Sequence, residues 1–106
     1  MEKITRQDMA ALGGKHAGTS KWFVIDQTRI DTFADITEDH QYIHVDPDAA
    51  KQSPFGTTIA HGFLTLSMLS AMIYDGVPDI EGAKMGVNYG FNKIRFLSPV
   101  AAGARI

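Results

Sequence analysis

Residues 61–74 read HGFLTLSMLSAMIY, and this stretch decides the fold. Phe63, Leu64, Leu66, Met68, Leu69, Met72 and Ile73 recur at helical spacing and cover most of the circumference of a 3.6-residue helix. A helix that is apolar nearly all round is a buried one. It is not a membrane span. The apolar run 63–73 carries Thr65, Ser67 and Ser70, and it falls short of the ~20 residues a bilayer requires. Asp75-Gly76-Val77-Pro78 supplies the stop.

A buried helix needs a cover, and the flanking sequence carries strand signals. Towards the C-terminus, Val87, Tyr89 and Phe91 alternate on one face of a long strand over 85–96, and Ile94 and Phe96 continue in the opposite phase. The phase break at Asn92-Lys93 predicts a β-bulge or a change of face. Ser98-Pro99 ends this strand, and Arg105-Ile106 begins another. Towards the N-terminus, 20–26 reads as a strand around Trp22-Phe23-Val24-Ile25. Asp26 or Thr28 then caps a helix with Ile30, Phe33, Ala34 and Thr37 at helical spacing, ending near Asp39. Pro47 disfavours helical backbone at Asp46 and opens a short helix over 48–52, which Ser53-Pro54-Phe55-Gly56 breaks. Another short helix follows Thr5 as N-cap, with Asp8 in its first turn, and stops at Gly13-Gly14. No repeat or linker interrupts the chain, so residues 1–106 read as a single domain. One helix against an antiparallel sheet is an α+β architecture.

Composition narrows the function. The 106 residues are 44% hydrophobic and 21% charged, enough apolar surface for a folded core. The net charge of −2 argues against a nucleic-acid partner, which calls for a basic patch or stripe. With no cysteine, disulfides, thiolate catalysis and Cys-ligated metal centres are excluded. Residues 1–4 lead into polar sequence rather than an apolar signal core. These features predict a soluble, cytoplasmic protein with no membrane partner.

Two polar features carry chemistry. Glu38-Asp39-His40-Gln41-Tyr42-Ile43-His44-Val45-Asp46 lies where a helix ends. Asp39 and His44, five residues apart across that end, can converge on one water as an acid–base pair. By composition alone a polar surface loop is the favoured reading of this cluster. His61-Gly62 opens the apolar helix, where backbone N–H groups are unpaired and partly positive. Gly62 lets a ligand approach that backbone, a suitable place for a developing oxyanion; the plain alternative is a helix start capped by His61. His40 and His44 have an i, i+4 metal-pair spacing. The helix ends between them and no third ligand is evident, so no metal is expected. Lys84, Lys93 and Arg95 are candidates for phosphate contacts, and surface charge is the reading favoured for each.

Three blocks together resemble one family. The segment 37–46, with Phe33 upstream and Ala49 or Ala50 downstream, resembles the hydratase signature of MaoC-like proteins. Ile59-Ala60-His61-Gly62-Phe63 resembles the family's His-Gly helix start, and 87–100 its long strand and proline turn. The blocks stand in the family's order and spacing. The stricter (R)-hydratase pattern has Gly before the Asp and Asn-Pro after the spacer, where this chain has Glu38, Gln41 and Tyr42. Its variant is the one familiar among NodN-like members.

The resemblance implies a hot-dog fold, in which an antiparallel sheet wraps a long central helix. It implies (R)-specific hydration of a trans-2-enoyl-CoA, or the reverse dehydration of a 3-hydroxyacyl-CoA, in a homodimer. Asp39, His44 and the Gly62 N–H would be catalytic; Gln41, His61, Phe63 and Ser70 would contact or position the substrate. Ser70 follows Gly62 by about two helical turns; its hydroxyl is equally suited to bond its own helix. No cofactor is implied, since coenzyme A belongs to the substrate. The alternatives are a non-catalytic acyl-CoA-binding accessory protein and a hot-dog thioesterase. The family continues through further strands beyond the position of Ile106, so the C-terminal strands are expected to be missing here, leaving the 85–96 strand and one helix face exposed.

Overall fold

Side-chain caps start three of the helices, two of them at Thr5 and Asp26 as the sequence suggests. In the computed structural model, which describes residues 2–106, Thr5 Oγ1 accepts from the Asp8 N–H at 3.0 Å and Asp26 Oδ1 from the Arg29 N–H at 2.8 Å. Asp46 Oδ1 accepts from the Ala49 N–H at 3.1 Å. Each cap satisfies a donor that the first helical turn leaves without a partner. The chain divides into two compact units, one of Met1–Lys21 with Leu69–Ile94, the other of Trp22–Met68 with Arg95–Ile106.

In the first unit, β1 (Lys3–Ile4) precedes α1 (Arg6–Ala11) and pairs in parallel with a strand at Asp79–Ile80, Lys3 facing Asp79. The helix Leu69–Gly76 belongs to this unit. Gly18 and Gly76 let two backbone segments cross, for a Cβ on either would collide with the main chain of the other. Close by, the Lys21 N–H donates to Asp75 Oδ2 at 2.6 Å.

The second unit holds the core. Its order is β2 (Val24–Ile25), α2 (Gln27–Thr37), α3 (Tyr42–Val45), α4 (Pro47–Ala50) and α5 (Gly62–Ser67). Leu69–Gly76 is therefore α6 and Asp79–Ile80 is β3, and β4 (Ala104–Arg105) closes the chain. β2 pairs antiparallel with β4, and reciprocal bonds between Phe23 and Ile106 at 2.8 and 2.9 Å extend the ladder. Beside it, Ile59 bridges Ala101, with Ala60 N–H to Val100 O at 2.8 Å and Ala102 N–H to Thr58 O at 3.0 Å. Ile25, Ile30, Ala60 and Leu64 form the buried cluster, and Phe33, Met68, Val100, Ala102 and Ile106 pack on it. Each large side chain fully buried there contributes about 1.5–3 kcal/mol.

Three sequence expectations are corrected. The helix expected over 61–74 is interrupted at Met68, which caps α5 with ψ −9°. Thr65 Oγ1 donates to Gly62 O at 2.8 Å and Ser67 Oγ to Phe63 O at 2.6 Å, and such back-bonding bends a helix. Nor is this helix buried throughout: Leu64 is, while Phe63, Ile73 and Tyr74 are exposed. The segment 85–96 forms no ladder with any described residue, and Met85, Val87, Tyr89 and Phe91 are exposed. Alternation makes a strand only where a neighbouring strand takes up the backbone N–H and C=O groups. The strand expected over 20–26 is confined to Val24–Ile25. No helix among the described residues is long and apolar enough to cross a membrane.

α2 ends at Thr37 and is capped by the residue before Asp39, Glu38, whose φ of 62° and ψ of 25° are left-handed. Glu38 is the one described non-glycine residue with positive φ. Its Cβ costs about 1 kcal/mol in that conformation. Glu38→Gly is therefore expected to raise stability by about 0.5–1 kcal/mol, and Glu38→Val to lower it by more than that, in urea titrations at unchanged slope.

Candidate active site

The site is built around the extended segment 58–61, all of it buried. One edge of this segment pairs with 100–102; from the other side Ile43 O accepts the Ile59 N–H at 2.9 Å. Gln27, the first residue of α2, joins these parts. Its amide donates to His44 O at 2.7 Å and to Asp31 Oδ1 at 2.9 Å, and its Oε1 accepts from the Thr58 hydroxyl at 2.6 Å.

His44, on α3, is 7% exposed. Its Nδ1 lies 2.7 Å from Ile59 O, and because a carbonyl only accepts, Nδ1 carries the proton. In the neutral ring Nε2 is then left as an acceptor. His61, just before α5, is 2% exposed and donates from Nε2 to the main-chain carbonyl of Asp39 at 2.9 Å. Its ring stacks on His44 with centroids 3.8 Å apart and planes at 23°, and meets Phe33 at 5.0 Å. His61 Nδ1 is buried with no hydrogen-bond partner. An unsatisfied buried acceptor costs roughly 1–3 kcal/mol.

Asp39 leaves the end of α2 with its side chain exposed. One carboxylate oxygen and one nitrogen of each ring, His44 and His61, lie within 4.8 Å of one another. His40 points elsewhere, with Nε2 2.8 Å from Asp35 Oδ1 on α2. The His40/His44 spacing noted in the sequence therefore brings no pair together.

Gly62 follows His61 directly, and its N–H makes no hydrogen bond among the described residues. A Cβ at Gly62 would stand 2.6 Å from the Phe96 ring, so glycine is what admits that ring over the helix start. Phe96 meets Phe63 edge-on at 5.6 Å. Gly62 lines a mostly apolar cavity of about 250 Å³ with Phe55, Ile59, Thr65, Phe96 and Leu97. Asp39 and His44 lie outside its lining. Gln41 caps α3, with its N–H 3.4 Å from Asp39 Oδ1 and its carbonyl accepting the His44 N–H at 2.9 Å. Phe63 is exposed on α5. Ser70 lies on α6, beyond the interruption at Met68, so the two-turn spacing from Gly62 no longer sets the face on which it stands.

Residues 8–106 match the MaoC like domain family. The chain belongs to that family. Nodulation protein N of Rhizobium meliloti is 54% identical over 100% of this chain and 66% of its own length. The 3-hydroxyacyl-thioester dehydratase Z of Mycobacterium tuberculosis is 48% identical over 93% of this chain and 65% of its own length. The chain thus spans just under two thirds of these relatives. Among solved structures, the unliganded R-hydratase of Pseudomonas aeruginosa superposes with a TM-score of 0.60 at 28% identity, over 83% of this chain and 55% of that one. The fold is of the α+β hot-dog class.

In this MaoC-like chain the left-handed backbone at Glu38 gives a physical reason for the glycine that stricter members carry before the Asp. Sequence reasoning missed Gln27, Thr58 and the Ile59 carbonyl. A glutamine at the first turn of a helix reads as surface, and a main-chain carbonyl has no sequence signature. Gln27→Leu leaves the buried Thr58 hydroxyl and the His44 carbonyl without their partner, so it should cost about 1–3 kcal/mol. Chemical denaturation checks this, and a loss below about 0.5 kcal/mol would show that the amide bonds are replaced by water.

Proposed function

We propose that this chain carries the acid–base site of an (R)-specific enoyl-thioester hydratase, acting on trans-2-enoyl-CoA or in reverse on 3-hydroxyacyl-CoA. The observation that carries the reading is the locked His44. With Nδ1–H held by Ile59 O, its remaining nitrogen is an acceptor, and a nitrogen of this ring lies within 4.8 Å of an Asp39 carboxylate oxygen. A separation of up to 4.8 Å suits one bridging water, which spans about 5 Å with hydrogen bonds of ~2.8 Å to each side. The names of the dehydratase relative and the R-hydratase neighbour support the same class of reaction.

In this mechanism Asp39 and His44 hold the water. Its hydroxyl adds to the β-carbon of the enoyl thioester, and its proton passes through the pair to the α-carbon. Negative charge builds on the thioester oxygen as the C=C bond is consumed, and the Gly62 N–H stabilises it. One donor so placed is worth about 3 kcal/mol of barrier. The apolar cavity beside Gly62 suits an acyl chain better than a polar ligand. Gln41 positions the loop between Asp39 and His44.

The thioester itself acidifies the α-carbon, so the mechanism uses no metal or redox cofactor. The homodimeric state implied by the family resemblance and the cytoplasmic location read from the composition belong to the same proposal.

Hydration of crotonyl-CoA, followed by loss of the enoyl-thioester absorbance, tests it. Asp39→Asn and His44→Ala should each lower kcat by about 10²–10⁴-fold with the fold retained. Dialysis against chelator should leave the rate unchanged. Full turnover in either variant refutes the assignment; release of free coenzyme A would identify a thioesterase, and binding without turnover an accessory protein.

A further inference from the structure

The chemistry proposed above uses His44 and Asp39 but leaves the ring between them unexplained. His61 is almost wholly enclosed, yet it is an imidazole and not an apolar side chain. Its Nδ1 is an orphaned acceptor, which a Phe or Leu at this position would not create. What the imidazole supplies is Nε2–H, and that group is given to the main-chain carbonyl of Asp39, 22 residues earlier. The flat of the same ring carries His44.

From these contacts we infer that His61 is a positioning residue, setting the place of Asp39 relative to His44 through its Nε2–H bond and its stacked ring. This rests on the reading of Asp39 and His44 as the acid–base pair. Asp39 needs such a tether. It follows a residue in left-handed backbone, its side chain is exposed, and its described side-chain contact is a long one of 3.4 Å to the Gln41 N–H. His44 is held by Gln27 at its carbonyl and by Ile59 O at its Nδ1–H, neither of which involves Asp39. His61 ties the loosely held partner to the firmly held one. Two catalytic groups are useful only at a fixed spacing, and errors near 1 Å cost on the order of 10²-fold in rate.

Three substitutions separate the bond from the ring. A glutamine amide nitrogen reaches the place of Nε2, so His61→Gln keeps the bond without the ring. His61→Phe keeps a ring without the bond. His61→Asn is too short to reach Asp39 O. With crotonyl-CoA as substrate, His61→Phe and His61→Asn should lose about 100-fold in kcat with KM within about twofold. His61→Gln should stay within about fivefold of wild type. Amide hydrogen exchange at Asp39, His40 and Gln41 should quicken in the Phe and Asn variants and not in Gln.

Wild-type kcat in His61→Phe overturns the proposal. So does equal damage in Gln and Asn, a comparison that also decides the matter if the Phe variant does not fold. A wild-type protein that fails to hydrate the enoyl thioester defeats the hydratase reading instead, and the exchange comparison then decides on its own whether His61 positions Asp39.

Discussion

Much of the second unit depends on one buried extended segment, residues 58–61, whose main chain is bonded on both sides. Its amides and carbonyls cannot turn to water, so each needs a protein partner. Residues 100–102 serve one edge, and Ile43 and the His44 ring serve the other. The consequence is chemical as well as structural. A buried carbonyl, Ile59 O, selects which nitrogen of His44 holds the proton, and so which one is left as an acceptor.

From that segment the rest of the site follows by short steps. His61 ends the strand and begins the helix, and reaches back to the Asp39 carbonyl. Gly62 then lets Phe96 lie over the helix start, where both line an apolar cavity. Gln27 joins the start of α2 to α3 and to Thr58, while Asp39 emerges from the far end of the same helix. α2 is therefore a spacer between the two ends of the site, and its 11 residues of packed helix hold that spacing stiff.

The polar contacts here are few and mostly to backbone. That is economical in a small unit. A side chain bonded to a main-chain carbonyl is held by atoms that no single substitution removes, whereas a side-chain partner is lost with one change. The orphaned His61 Nδ1 is the exception, a local cost in a well-bonded site, and such costs concentrate where geometry serves chemistry rather than stability.

Local chemistry was legible in the sequence wherever it depends on near neighbours. Thr5 and Asp26 cap their helices because a short oxygen-bearing side chain reaches an N–H three residues on, whatever the tertiary fold. Asp39, His44, His61 and Gly62 were visible as residue types at a helix end and a helix start. Tertiary structure alone decided what depends on distant partners. The alternation in 85–96 specifies which side chains share a face but supplies no neighbouring strand. The apolar run 61–74 specifies helix but not the interruption at Met68, where hydroxyls back-bond to the preceding turn. The tautomer of His44, the stack with His61 and the bridge through Gln27 join groups 15 to 31 residues apart. Their energies come from burial and directed hydrogen bonds, which exist only once the chain has folded and water has left.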